Sequence, residues 1–170
     1  KTHTPELEAA QAKWEKAVLS APAEWAVLDP LSITSTGGAT LTERADHSIL
    51  AGGANPAADE YIVEARLPAG GITGVRLEAI PDESLPRGGP GRDPYGNFFV
   101  RQVEVEGVRI ARYAADDGRL DRKKFDPLWT VDASRDEKRQ PRQLVLVPGA
   151  PFGSAGDPIR VRIRQSSQFG

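Results

Sequence analysis

Gly74 to Val105 reads GVRLEAIPDESLPRGGPGRDPYGNFFVRQVEV, and this stretch decides the fold class. Val75, Leu77 and Ala79 alternate with Arg76 and Glu78, the period-two pattern of a half-buried strand. A second apolar run starts at Asn97 and carries Phe98, Phe99, Val100, Val103 and Val105. Between the two runs Pro81, Pro86, Pro90 and Pro94 stiffen the chain, while Gly88, Gly89, Gly91 and Gly96 permit tight turns. Two strands holding a long, stiff loop form a scaffold on which binding residues are commonly mounted.

The same punctuation extends in both directions. Tyr61, Val63, Ala65 and Leu67 alternate with Ile62, Glu64 and Arg66. Ile159, Val161 and Ile163 alternate with Arg160, Arg162 and Arg164, which predicts an amphipathic strand with the arginines outward. Leu144 to Val147 is a short run stopped by Pro148. Trp25, Val27 and Leu28 read as a strand ended by Asp29-Pro30, and Gly37-Gly38 reads as a two-residue hairpin between Ile33–Thr36 and Thr40–Glu43. Ala114 to Arg142 is polar and reads as a long loop or an excursion carrying Phe125 and Trp129. At the start, Thr4-Pro5-Glu6 is a helix-entry signal, followed by Leu7, Ala10, Trp14, Ala17 and Val18 at helical spacing, with Pro22 closing the segment. The expectation is an all-β chain: an antiparallel, jelly-roll-like β-sandwich over residues 21–170, preceded by a short N-terminal helix and linker over residues 1–20.

Composition narrows the function classes. The chain has 170 residues, 39% hydrophobic and 27% charged, which suits one folded domain. Lys+Arg number 22 against Asp+Glu 24, a net charge of −2, which gives no electrostatic footprint for nucleic acid. No apolar run is long enough to span a membrane. With no cysteine there is no disulfide, no thiolate nucleophile and no covalent haem attachment. The sequence begins at Lys1 and contains no Met, which suggests a piece of a longer protein.

Signals for chemistry are few. Asp46, His47 and Ser48 are consecutive, so they cannot converge from a strand as a triad, and His47 is expected to have a surface or structural role. Asp116-Asp117-Gly118 reads as a turn. Gly88-Gly89-Pro90-Gly91 lacks the following helix start that a phosphate cradle needs. Asp46, Asp59 and Asp82 lie in turn-like sequence, where sandwich modules often hold calcium, but nothing fixes their mutual distance, so no metal is expected. Trp14 and Trp25 read as packing residues. Arg92, Asp93, Tyr95 and Asn97, together with Trp129 in polar surroundings, form the candidate ligand-binding set: flat aromatic faces and a few polar groups suit a pyranose. Arg92 and Asp93 have a second reading, satisfying the loop's own carbonyls and amides, and Asn97 has one as a turn residue.

The order Trp25-x-x-Leu28-x-Pro30, STGGATLT, D-x-S-I-L-A-x-G, DEYIVEA, ITGVRLEAIPDESLPRGGPGR, GNFFVRQVEV, LVLVPG and IRVRIRQSSQFG resembles a β-sandwich domain of planctomycete-type secreted multidomain proteins associated with cytochrome c-like haem domains. The resemblance spans about Trp14 to Gly170 and departs from the pattern across Ala114 to Arg142. It implies an extracytoplasmic, non-catalytic, carbohydrate-binding-like module, with polysaccharide or neighbouring domains as partners. It supplies no catalytic residue, and the chain carries no haem motif of its own. The alternative is a docking module that positions neighbouring domains or subunits.

Overall fold

The computed structural model describes residues 5–20, 24–116, 119–120 and 129–166. Among these residues one helix, α1 (Pro5–Ser20), precedes eleven strands: β1 (Pro30–Ser35), β2 (Ala39–Glu43), β3 (Ile49–Gly53), β4 (Ala58–Arg66), β5 (Val75–Ala79), β6 (Phe98–Val105), β7 (Ile110–Ala115), β8 (Arg119–Leu120), β9 (Trp129–Val131), β10 (Arg142–Pro148) and β11 (Pro158–Ser166). They form a six-stranded sheet in the order β1-β4-β11-β6-β9-β8, a three-stranded sheet β5-β10-β7, and the hairpin β2-β3. All the pairings are antiparallel. From β4 to β7, and again from β9 to β11, successive strands alternate between the two larger sheets, which is jelly-roll winding.

One core fills the space between those sheets. Ala65, Val103, Val105, Ile159 and Val161 from the larger sheet meet Leu144 and Leu146 of β10, with Val75 and Leu77 of β5 packed beside them. These are the positions that alternation assigns to the inner faces. The opposite face of the larger sheet is an ionic ladder. Arg160 Nη2 lies 2.6 Å from Glu64 and its Nη1 3.0 Å from Glu106; Arg164 Nε lies 2.9 Å from Glu60. Arg162 reaches the same two acids, Glu60 and Glu106. The three arginines point outward as the sequence predicts, and each is paired.

The smaller sheet is covered on its outer side by the N-terminal segment. Ala114 and Val145, paired across β7 and β10, are buried at 0% and 2% exposure. Beside them the Arg112 guanidinium lies 4.9 Å from the Trp14 ring centroid, and that of Arg76 lies 4.6 Å from the Trp25 ring. Both tryptophans therefore act as packing residues held by cation–π contacts.

Three local expectations are corrected. Residues 24–29 are not a strand; the strand begins at Pro30, and Val27 is exposed. Gly37-Gly38 is a corner and not a hairpin turn: β1 pairs with β4, β2 pairs with β3, and the hairpin turn lies around Asp46-His47. The buried Asp59 carboxylate makes that corner, accepting hydrogen bonds from Gly37 N at 2.6 Å, Ser35 Oγ at 2.6 Å and Glu60 N at 2.8 Å. A Cβ on Gly37 would stand 2.8 Å from Asp59 Cγ, so the glycine serves close approach. The polar stretch after Ala114 holds β8, β9 and a 3₁₀ turn at Asp136–Lys138; Phe125 and the Asp117-Gly118 pair lie outside the described residues.

Candidate functional site

The loop between β5 and β6 is a hydrogen-bonded structure. Asp93, 4% exposed, accepts from Tyr95 N at 2.8 Å, Asn97 N at 2.7 Å and Asn97 Nδ2 at 2.9 Å. Asn97 Oδ1 in turn accepts from Ala133 N at 2.6 Å, tying the loop to the segment after β9. Gly91 N donates to Gly96 O and Gly96 N to Asp93 O. The strands of this knot run so close that a Cβ on Gly91 would stand 1.8 Å from Asn97 O. Gly96, at φ +81°, occupies the left-handed region that only glycine enters without cost.

Arg92 is equally engaged. Its Nη2 donates to Gly53 O at 2.8 Å and Ala54 O at 2.9 Å, and its Nη1 to Tyr61 Oη at 3.3 Å. Asn55 Nδ2 returns a bond to Arg92 O at 3.2 Å. The arginine thus clamps the end of β3 to the loop and to β4. The cleft beside it, between Asn55, Asp59, Tyr61, Asn97 and Phe99, holds about 30 Å³, room for a water or two. Small-molecule sites run to roughly 300–1,000 Å³.

The five candidate ligand-binding residues therefore part company. Arg92, Asp93 and Asn97 come together, but their polar atoms serve the loop and its anchors. Tyr95 is on the surface at 44% exposure, with the Arg87 guanidinium 5.1 Å from its ring centroid. Arg87 is held at φ +55°, one of two non-glycine residues in the left-handed region among the described residues. Trp129 is a correction: it is fully buried, 4.8 Å from the Phe98 ring in an edge-to-face contact, and cannot face a ligand. Its polar neighbours in sequence hide a three-residue strand, in which Trp129 and Val131 alternate inward opposite Val100 and Phe98.

The exposed apolar surface lies elsewhere. Val27 is 69% and Leu31 65% exposed, the first just before the edge strand β1 and the second within it. Among the described residues β1 pairs with β4 on one side only, and it has the uncharged sequence PLSITS. Thr36 N bonds Glu60 O, and the register continues as Thr34 opposite Ile62 and Ser32 opposite Glu64. Antiparallel alternation then turns the amides of Ile33 and Ser35 away from β4. Nothing in the sequence marks β1 as an edge, because edge position is a property of the assembled sheet.

Comparison with protein-family models, curated proteins and solved structures finds no match to the chain. The class defined by the fold is an all-β, sandwich-like domain with one N-terminal helix.

Proposed function

We propose that the chain is a non-catalytic docking module whose binding element is the free edge of β1, and that its partner is an extended polypeptide segment added to the six-stranded sheet. One observation carries the reading: β1 is an uncharged edge strand that contains Leu31 and follows Val27, the two most exposed large apolar residues described. Natural edge strands are commonly guarded by lysines or inward charges, whereas strand addition needs outward amides and apolar contacts. Pro30 and the register shift after it limit pairing at the first residue, and the regular part of the strand is Ser32 to Ser35. The resemblance to secreted multidomain proteins supports this reading, since neighbouring domains and an extracytoplasmic setting provide such partners. The small volume of the cleft beside Arg92, about 30 Å³, and the internal engagement of Arg92, Asp93 and Asn97 weigh against a substrate pocket at this loop.

A second reading, carbohydrate binding, is favoured by the exposed Tyr95 ring and Arg87 at the loop tip. One experiment separates the two. Random extended peptides are displayed against the wild-type domain and against Leu31→Lys, and both proteins and Tyr95→Ala are put on a glycan array. Enriched peptides that Leu31→Lys fails to bind support docking. Glycan retention lost in Tyr95→Ala, with no peptide enriched, replaces docking by sugar binding.

A further inference from the structure

At the opposite end of β1 from the loop, three donors of two chemical kinds converge. His47 Nδ1 lies 2.7 Å from Glu43 Oε1 and 3.5 Å from Asp29 Oδ1. Donor atoms of Asp29, Glu43 and His47 all fall within 4.8 Å of one another. They come from separate places: the segment before β1, the end of β2 and the turn into β3. His47 is held at φ +62°, which the hairpin turn imposes. The basic side chain next in the chain is engaged elsewhere, for Arg44 Nη1 lies 2.6 Å from Asp82. The nearby Asp46 is occupied as well, accepting from Ser48 N and Oγ. Among the described residues, neither Asp29 nor Glu43 has a lysine or arginine as ion-pair partner, so two carboxylates face one imidazole alone.

We infer that Asp29, Glu43 and His47 form a three-ligand site for a borderline divalent cation, Zn²⁺ by donor type, closed by water in the fourth position. Imidazole with carboxylate oxygen suits zinc and its neighbours better than calcium or magnesium, which take oxygen-only shells. Ligands about 2.0–2.1 Å from a tetrahedral zinc stand roughly 3.3 Å apart. Two of the three separations, 2.7 and 3.5 Å, bracket that value, and the third, between the carboxylates of Asp29 and Glu43, is no more than 4.8 Å, so rotation of exposed side chains closes the site. All three residues are exposed, which gives the ion direct access and sets a weaker affinity than a closed structural site has. A bound ion would clip the β2-β3 hairpin to the segment entering β1. The inference is independent of the docking reading, since it concerns neither the outward amides of β1 nor Leu31.

The test uses the whole chain after chelator treatment, titrated with Zn²⁺ by calorimetry and with Co²⁺ for its visible absorption. His47→Asn keeps a residue that tolerates the left-handed backbone and removes the nitrogen ligand. His3→Asn removes the only other histidine. The expected result is saturable binding at one equivalent and a raised melting temperature on Zn²⁺ addition. Both effects should be lost in His47→Asn, lost or sharply reduced in Glu43→Gln, and kept in His3→Asn. Failure of the wild type to bind, equal binding by His47→Asn, or loss of binding in His3→Asn overturns the inference. Melting temperatures of the metal-free variants identify any that fail to fold, and Asp29→Asn, outside every strand, then serves as the deciding variant.

Discussion

Replacing Asp93 by Ala tests whether the loop between β5 and β6 is a self-braced structure or a ligand-facing surface. The carboxylate is 4% exposed and accepts three hydrogen bonds, from Tyr95 N, Asn97 N and Asn97 Nδ2. Bonds to an ionised acceptor contribute about 1.5–3 kcal/mol each, and donors left unpaired after truncation add a desolvation cost. The three share one residue and are not additive, and water entering the vacated space restores part of the loss, so a destabilisation of about 3–5 kcal/mol is expected. For a chain of this size that lowers the melting temperature by roughly 10 °C. Asp93→Asn keeps an oxygen for the two backbone amides but sets its own amide nitrogen against that of Asn97. It should therefore lose only about 1–2 kcal/mol. The assay is urea unfolding followed by tryptophan fluorescence, read at the transition midpoint with the slope held constant. A loss under about 1 kcal/mol in Asp93→Ala would refute the bracing role.

Other outcomes follow from the same structure. Trp129→Ala should cost about 3–5 kcal/mol and abolish the cooperative melting transition or lower it steeply, because the ring is fully buried against Phe98. Gly91→Ala should destabilise by more than about 3 kcal/mol, since its Cβ would stand 1.8 Å from Asn97 O; thermal melting of the purified variant decides this. Glu64 is held below its ordinary range first by the Ser32 hydroxyl and then by Arg160, and Asp82 first by Ser84 and then by Arg44. The unfolded chain therefore binds more protons, and the stability these groups supply at neutral pH is lost as pH falls through about 4 and below. Glu64→Gln should accordingly flatten the fall of melting temperature between about pH 5 and pH 3. Leu31→Lys should change stability by no more than about 0.5 kcal/mol, as it replaces an exposed edge residue.

How much of this was legible in the sequence depends on whether the signal is local. The strands around Val75, Tyr61 and Ile159 were readable because a period of two encodes which face is buried, and the ionic ladder of Arg160, Arg162 and Arg164 follows from it. The helix Pro5–Ser20 was readable from its entry signal and spacing. Trp129 was misplaced because β9 is three residues long, too short for periodicity to stand out among polar neighbours. Gly37-Gly38 misled because a corner and a hairpin use the same residue type; the deciding partner, Asp59, lies twenty-two positions away. Arg92, Asp93 and Asn97 are close in sequence and close in the fold, yet whether a polar group faces a ligand or its own backbone depends on what the fold sets opposite it. The convergence of Asp29 with Glu43 and His47 likewise arises only when the hairpin folds back towards the start of β1.

Site-resolved amide hydrogen exchange reads whether β1 offers an open edge to an added strand. In the free domain the amides of Ile33 and Ser35, turned away from β4, should exchange much faster than that of Thr34, which faces it. On addition of a peptide selected against the wild-type domain, Ile33 and Ser35 should become protected while the loop around Tyr95 is unchanged. Slow exchange of Ile33 and Ser35 in the free domain, or protection appearing at Tyr95 with β1 unaffected, would rule out strand addition at β1.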